Sequence, residues 1–345
     1  MSDRIKILAF ETSCDDTSVA ALEANPGDRI PRLLSLAVQS QDEVHLKYGG
    51  VVPELASRAH LRSLLPLMRK VITETGWDLA EVQAFAATSQ PGLVGSLLVG
   101  QTAAKSLSFL YPGRFISCHH LESHLLSVFL EEDQPDFPFL AALVSGGHTS
   151  LYRVDGFDQF HLLGGTRDDA MGEAFDKAAK CLGLGFPGGA KLEELARAGD
   201  PTRFKFSAVK VDGLEFSFSG LKSQLARFAA KHSDPESRPH LAAGFQKALM
   251  DHLIEKIKRA AEESALTRLV VVGGVARNLE LKSRCQNLLE SGVLERIFVP
   301  RMEFCTDNAA MVGVRAYVKF LQSEFSDFEE GVSSTSRPAI RRKTQ

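Results

Sequence analysis

The chain has 345 residues, a formal net charge of −3 and 44% hydrophobic residues, which are ordinary values for a globular protein. This charge gives no overall positive field for nucleic acid, so any RNA contact must use local basic patches or a partner's surface. Five cysteines without a C-x-x-C pair favour reduced thiols over a disulfide framework. No apolar run is long enough to span a membrane and the N-terminus has no signal-peptide pattern, so we expect a cytoplasmic protein.

Short apolar strands alternate with amphipathic helices through the first part of the chain. The strands are predicted at 5–10, 17–22, 33–38, 84–89 and 115–118. The helices are predicted at 53–75, at 93–110, and from the histidines of HHLESH to about residue 131. The first of these helices has an apolar stripe formed by Leu55, Leu61, Leu64, Leu65, Met68 and Ile72. We expect this stripe to face the core, and a docking surface for a partner is the alternative.

The same pattern restarts after a proline-containing linker at 135–138. Strands at 139–144 and 149–154 flank a glycine turn, and Thr149-Ser150 follows this turn as Thr17-Ser18 follows the first one. This repetition indicates an internal duplication that gives two related α/β lobes. Further helices are predicted at about 170–182, 188–198, 217–230, 240–264, 276–289 and 308–320, and further strands at 269–274 and 296–300.

These elements predict an N-terminal α/β lobe at 1–134 and a C-terminal α/β lobe at 135–322, with a helical insertion at about 165–265. The remaining tail, 323–345, is rich in Ser, Thr and Gly and ends in RRKTQ. We expect this tail to be disordered. A solvated end is the first interpretation of its basic residues, and an RNA-contacting arm is the second.

Two histidines lie four residues apart in HHLESH at 119–124. Residues at this spacing leave the same face of a helix, so His120 and His124 can bind one metal ion. Asp307 in CTDN is the best candidate for a third ligand, and such a set leaves coordination positions open for a substrate. A lone H-x-x-x-H is usually no metal site, but the CTDN motif and three nucleotide-type turns elsewhere in the chain reverse that expectation here. His119 points about 100° away around the helix, so we expect it to pack or to form a hydrogen bond.

Three polar or glycine-rich turns follow apolar strands: ETSCDD at 11–16, SGGHT at 145–149 and GGVARN at 273–278. Successive backbone amides at such turns can bind phosphate, and glycine allows close approach. Thr12 and Ser13 offer hydroxyl donors, and Asn278 could bind a ribose or base edge. Each turn alone is most often only a tight turn, and none matches the P-loop or GxGxxG patterns. Together they predict nucleotide binding.

A further acidic and glycine-rich stretch covers residues 168–196. Asp169, Glu173 and Asp176 recur at helical spacing, which is typical of a solvated acidic face. The predicted helix stops at a Pro-Gly-Gly turn, however. Asp176 near that turn could bind the hydroxyl groups of a sugar or an amino acid, which is the functional alternative.

Taken together, the motifs resemble one known family. They are FETSCDDT, YGGVVPELASRAH, PGLVGSLLVG, HHLESH, LVSGGHT, GEAFDKAAKCLGL, PGG, FSFSGLK, GGVARN and CTDNAAM, in this order. They are similar to the bacterial tRNA N6-threonylcarbamoyladenosine transferase (TsaD) family, formerly described as a sialoglycoprotein endopeptidase. The resemblance covers about residues 5–320. Gln90 stands where the family usually has glycine, and Ser123 stands where glycine or alanine is commoner.

The resemblance implies the two-lobed duplicated α/β fold of the acetate and sugar kinase, Hsp70 and actin superfamily. It implies transfer of a threonylcarbamoyl group from threonylcarbamoyl-adenylate to N6 of adenosine 37 in tRNAs that read codons beginning with A. By motif, the metal ligands would be His120, His124 and Asp307. The substrate-binding residues would be Leu143, Val144, Ser145, Gly146, Gly147, Asp176, Gly189 and Asn278.

The resemblance also implies one divalent metal ion per chain, with Fe²⁺ favoured and Zn²⁺ as the alternative. It implies a paralogous dimerisation subunit and a small ATPase as partners, and no membrane. The residues leave the general base unassigned. An ATP-dependent small-molecule phosphotransferase of the acetate or sugar kinase type is the alternative enzyme. A degenerate scaffold is disfavoured by the two histidines, and a metalloprotease is disfavoured because the HExxH order is absent.

Overall fold

The computed structural model describes residues 4–207 and 211–336, and it divides the chain into two compact units. The first unit is Met1–Glu132 with Asp307–Gln345, and the second is Asp133–Thr306. Within the described residues, no helix combines the length and the apolar character needed to cross a membrane.

Each unit is built on one five-stranded sheet. The first sheet has the order β3-β2-β1-β4-β5, and the second has the order β10-β9-β6-β7-β8. The strands are β1 Ile5–Glu11, β2 Asp16–Ala24, β3 Arg32–Ser40, β4 Ala84–Gln90, β5 Arg114–His119, β6 Phe139–Val144, β7 Thr149–Gly156, β8 Gln159–Gly165, β9 Arg268–Val272 and β10 Arg296–Phe298.

The pairing pattern is the same in both sheets. The first strand pairs antiparallel with the second and parallel with the fourth, as β1 does with β2 and β4, and β6 does with β7 and β9. This match confirms the predicted duplication and the α/β class. The sequence missed β8, because QFHLLGG has neither a clean alternation nor a continuous apolar run.

Helices connect and cover the strands. They are α1 Asp42–His45, α2 Pro53–Thr75, α3 Val94–Leu110, α4 His120–Leu126, α5 Met171–Cys181, α6 Gly189–Arg197, α7 Ser219–Lys231, α8 Ser237–Ser264, α9 Leu279–Glu290, α10 Met302–Cys305 and α11 Ala309–Leu321. The central strands β1 and β6 are buried at nearly every position, as expected when helices cover both faces of a sheet. Helix α5 begins at Met171, so Asp169 precedes the helix on which the sequence placed it.

The boundary between the units differs from the predicted one at residues 134 and 135, and most clearly at the C-terminus. Helix α11 packs against β1 and β2 of the first unit, so it does not belong with residues 135–306 as predicted. Gly313 makes this return close, since a Cβ at this position would overlap Leu22. Leu22 and Gly313 are almost 300 residues apart, and a contact over this distance produces no local sequence pattern. The prediction therefore grouped α11 with the residues that precede it in the chain.

The tail prediction is wrong for residues 323–336, which we call the C-terminal strap. Its backbone bonds to the edge strand β5, where Ser326 N donates to Phe115 O at 3.0 Å. Phe328 stacks on Phe115 and meets Phe109 edge-on, and Lys105 donates to two strap carbonyls. The strap therefore covers a sheet edge that would otherwise be open. Residues 337–345 of the predicted tail lie outside the described residues.

We predict that Phe328→Ala lowers the free energy of unfolding by about 1–2 kcal/mol, because two aromatic contacts are lost. Leu279→Ala is the control, since Leu279 and Phe328 are both 52% exposed. Urea unfolding of both variants measures the difference. An effect no larger than that of the control would show that the strap adds no stability.

Candidate metal centre

Helix α4 brings the two predicted histidine ligands together. It starts directly after β5, and the His119 ring caps it by accepting a bond from Glu122 N at 3.5 Å. His120 and His124 then lie on one face, with ring centroids 4.6 Å apart and nearly perpendicular planes. Both side chains are buried. His119 forms hydrogen bonds, as the sequence predicted.

Asp307 reaches the histidines from the other end of the chain. It lies just before Asn308, whose side chain caps α11 by accepting a bond from Met311 N at 2.9 Å. Ser18 Oγ accepts a bond from Ala309 N at 2.9 Å and fixes this helix end against β2. As a result, Asp307 Oδ1 lies 2.9 Å from His124 Nε2 and 3.6 Å from His120 Nε2.

The residues present fit a divalent metal ion. The ligand atoms of His120, His124 and Asp307 all lie within 4.8 Å of one another. Burial lowers the pKa of His120, but the negative charges of Asp307 and Glu11 outweigh burial and raise it to about 9. The cluster therefore favours a positive charge between its members. Two imidazoles and one carboxylate suit Fe²⁺ or Zn²⁺ and leave positions open.

Sequence analysis did not predict that two further residues, Glu11 and Ser13, contact this centre. Glu11 Oε2 and Ser13 Oγ each lie 3.2 Å from His120 Nδ1. The available signal was topology: β1, β4 and β5 are parallel neighbours, so their carboxyl ends meet at one edge. Glu11 ends β1, and His120 directly follows β5. Parallel pairing of the predicted strands would have placed both residues at the same edge of the sheet, one strand apart.

In the turn at 11–16, the hydroxyl group of Thr12 has a structural role. Thr12 Oγ1, a predicted donor, already donates to Ser96 O at 2.7 Å and accepts from Gly100 N at 3.1 Å. Gly100 is required here, because a Cβ would lie 2.7 Å from that hydroxyl. Thr12 thus anchors α3 beneath the turn.

The second unit contains the other predicted turns. Ser145 and His148 close the SGGH turn, with Ser145 N donating to His148 O at 2.8 Å. Gly146 and Gly147 are exposed, with open space where side chains would lie, so a ligand can approach their backbone. Leu143 and Val144 are fully buried in β6, so only their backbone could contact a substrate.

Helix α5 joins this turn to the Pro-Gly-Gly corner. Gly172 N donates to Ser145 O at 3.1 Å, and one helical turn later Asp176 Oδ1 accepts from Gly188 N at 2.8 Å. Gly189 then begins α6. Asp176 therefore lies at the Pro-Gly-Gly corner, as the sequence predicted. Asp176 and this corner are on the same side of α5 as the SGGH turn.

Asn278 has a structural task at its predicted position. Its Oδ1 caps α9 by accepting from Leu281 N at 3.1 Å, and its Nδ2 donates to Gln246 at 3.3 Å. The residue is buried. The GGVARN turn still lies against the start of the SGGH turn, since a Cβ on Gly273 would overlap Val144 O and lie 3.1 Å from Ser145 N. The substrate roles of Asn278 and of the other seven residues stay predictions.

Comparisons with known structures show the fold. Over 93% of this chain, full-length HypF in a phosphate- and nucleotide-bound form matches with a TM-score of 0.61 and 13% identity; the chain spans 56% of that HypF chain. Component A of (R)-2-hydroxyglutaryl-CoA dehydratase from Acidaminococcus fermentans matches with a TM-score of 0.52 and 14% identity, over 91% of this chain and 98% of that one. These matches confirm the predicted α/β fold.

Comparisons of sequence show the family. The sequence pattern that defines the TsaD family, described as tRNA N6-adenosine threonylcarbamoyltransferase, matches residues 32–314 of this chain. A protein of this name from Thermodesulfovibrio yellowstonii is 45% identical over 328 residues, covering 93% of this chain and 96% of the relative. The chain belongs to the TsaD family of tRNA-modifying transferases, as its motifs predicted.

We predict that Gly172→Ala destabilises the second unit by about 1–3 kcal/mol, because a Cβ there would lie 2.7 Å from Ser145 O and 2.8 Å from Gly146 Cα. Gly156→Ala is the control, since its nearest neighbour would lie at 3.5 Å. Chemical unfolding measures both variants. Equal stability of the two would contradict the tight packing of α5 against the SGGH turn.

Proposed function

We propose that this protein transfers the threonylcarbamoyl group from threonylcarbamoyl-adenylate to N6 of adenosine 37 in tRNAs that read codons beginning with A. The observation that carries the proposal is the cluster of His120, His124 and Asp307 in a chain of the TsaD family. The family match favours this activity over the alternative of a small-molecule phosphotransferase. A tRNA substrate also agrees with the expected cytoplasmic location.

The three clustered residues would hold one divalent cation, Fe²⁺ by family resemblance or Zn²⁺ as the alternative. Such an ion supplies Lewis acidity for the carbamoyl oxygen or for the leaving phosphate. Because Glu122 is bonded to Arg315 at 2.8 Å, it is committed to an ion pair and not to the metal. This supports a ligand set of two imidazoles and one carboxylate.

The second unit would bind the adenylate. Backbone amides of Ser145, Gly146 and Gly147 are suited to phosphate or to a developing oxyanion, and the two glycines are exposed. The backbone at the end of β6, at Leu143 and Val144, would lie along the intermediate. Asp176, Gly189 and Asn278 would complete the substrate site by family resemblance.

The reaction itself requires little covalent chemistry from the protein. The N6 nitrogen attacks the carbamoyl carbon, the bond from this carbon to the phosphate oxygen breaks, and AMP leaves. The N6 proton passes to a substrate group or to water, since no side chain is assigned as general base. Because the donor is already activated, positioning supplies much of the rate.

We further propose that a paralogous dimerisation subunit docks on an apolar patch of the first unit. The patch consists of Leu61, Leu65, Val94 and Leu98. Leu61 and Leu65 are 65% and 54% exposed, so their predicted place in the core is wrong: α2 turns the face of Ala56, Leu64 and Val71 inward instead. An exposed group of large apolar side chains is typical of a protein interface.

The two helices of the patch are in contact. The absence of a side chain at Gly95 on α3 leaves room for Ser57 of α2, because a Cβ would lie 2.5 Å from Ser57 Oγ. Leu61 follows Ser57 by one turn, and Leu98 follows Gly95 by one turn. The small ATPase is proposed as a further partner by family resemblance alone.

For the activity, we predict that the purified chain with its partner proteins modifies tRNA when threonine, bicarbonate and ATP are supplied together with the synthase. The double variant His120→Ala, His124→Ala should lose at least ~100-fold in rate, because Lewis-acid stabilisation is worth several kcal/mol. Mass spectrometry of tRNA nucleosides measures the product. His161→Ala is the control, since this histidine is exposed in the second unit.

Full activity of the double variant would contradict the metal role. Phosphorylation of a small metabolite by ATP in the absence of tRNA would contradict the transferase and support the phosphotransferase.

For the patch, we predict that Leu61→Glu with Leu65→Glu weakens binding of the paralogous subunit at least about 30-fold, as expected when one hot spot worth ~2 kcal/mol is lost. Calorimetric titration of the two purified subunits measures the affinity. Leu162→Glu is the control, because Leu162 is similarly exposed on β8 of the second unit. Unchanged affinity in the double variant would place the interface elsewhere.

A further inference from the structure

Glu11 is a buried carboxylate at the carboxyl end of β1. Its side chain is fully buried and has three hydrogen-bonding neighbours: Ser13 N, Thr88 Oγ1 and His120 Nδ1. We propose that Glu11 is the positioning residue that holds His120 in the tautomer able to bind the metal ion. This inference rests on the metal centre of the proposed function.

The contacts fix both carboxylate oxygens of Glu11. Oε1 accepts from Ser13 N at 2.6 Å, and Oε2 accepts from Thr88 Oγ1 at 2.6 Å. A buried carboxylate is costly unless it is paired and hydrogen-bonded, so this arrangement requires a partner of positive character. That partner is His120, whose Nδ1 lies 3.2 Å from Oε2.

The carboxylate decides which nitrogen of His120 carries the proton. An ionised carboxylate only accepts hydrogen bonds, so Nδ1 must be the donor. Both oxygens of Glu11 accept hydrogen bonds from other donors, Ser13 N and Thr88 Oγ1, as the oxygens of an ionised carboxylate do. When His120 binds a metal ion with its ring proton on Nδ1, its lone pair is on Nε2, the nitrogen that lies 3.6 Å from Asp307 Oδ1.

His124 lacks this support. Its Nδ1 is buried and has no hydrogen-bond partner among the residues that the structure describes. The two histidines therefore differ: one ring is oriented by a carboxylate, and the other is oriented by packing in α4. Carboxylate–histidine pairs of this kind orient metal ligands and raise their basicity, and losing them lowers metal affinity roughly 10–100-fold.

Replacing Glu11 by glutamine makes a sharp test. Ser13 N still requires an acceptor, so the amide oxygen would face Ser13 and the amide nitrogen would face His120. An N–H group facing Nδ1 turns this atom into an acceptor and moves the proton to Nε2. Glu11→Gln thus keeps the size of the side chain but places the ring proton on the metal-binding nitrogen.

The experiment is a Zn²⁺ titration of the full-length protein against a chromophoric chelator, without tRNA or partner proteins. We expect Glu11→Gln to bind Zn²⁺ roughly 10–100-fold more weakly than the wild type. Glu122→Gln is the matched control, since it makes the same change on α4 itself, at a carboxylate bonded to Arg315. We expect the control to bind Zn²⁺ as the wild type does.

A second measurement needs no variant and so does not depend on the folding of Glu11→Gln. Nitrogen-15 NMR of the histidine rings in the zinc-loaded wild type should show Nδ1–H on His120, with Nε2 as the ligand. A metal-bound Nδ1, or Zn²⁺ binding by Glu11→Gln within twofold of the wild type, would overturn the inference. Absence of Zn²⁺ and Fe²⁺ binding by the wild type would instead overturn the metal role in the proposed function.

Discussion

The contact between Asp307 and the two histidines of α4 is the constraint on which the rest of the first unit depends. His124 and Asp307 are 183 residues apart in the sequence. His124 Nε2 and Asp307 Oδ1 lie 2.9 Å apart. To bring them together, the chain leaves the first unit, forms the second unit, and returns to the first as α11. The cap formed by Asn308 and the bond to Ser18 are what fix the returning helix. The contacts that complete the fold of this unit therefore also assemble its proposed metal centre.

The duplication places two turns of different chemical character at matching positions in the two units. Both sheets have the same strand order and directions, and in both a turn follows the first strand. In the first unit that strand ends in the carboxylate of Glu11, and in the second it leads into Ser145 and two exposed glycines. A charged, buried strand end suits support of a cation, whereas an open glycine turn suits an anion. One topology thus supplies both halves of the proposed chemistry through its loops.

Local patterns in the sequence predicted the strands of both sheets except β8, and most helices. The juxtaposition of His120 and His124 was predictable because their spacing is a local feature of a helix. The meeting of Asp176 with the Pro-Gly-Gly corner was predictable for the same reason. Glu11 was missed because its role depends on pairing between distant strands. The ordered strap and the exposure of Leu61 were not predicted, because both depend on which surfaces the folded unit leaves uncovered. The periodicity of apolar residues does not contain this information.

The most direct test of the central claim is X-ray absorption spectroscopy of the protein loaded with iron or zinc. We predict two imidazole nitrogens at about 2.0–2.1 Å and further light oxygen or nitrogen ligands, with no sulfur. Sulfur scattering at about 2.3 Å, which would implicate a cysteine such as Cys14, or a first shell without imidazole, would contradict the assignment of His120, His124 and Asp307.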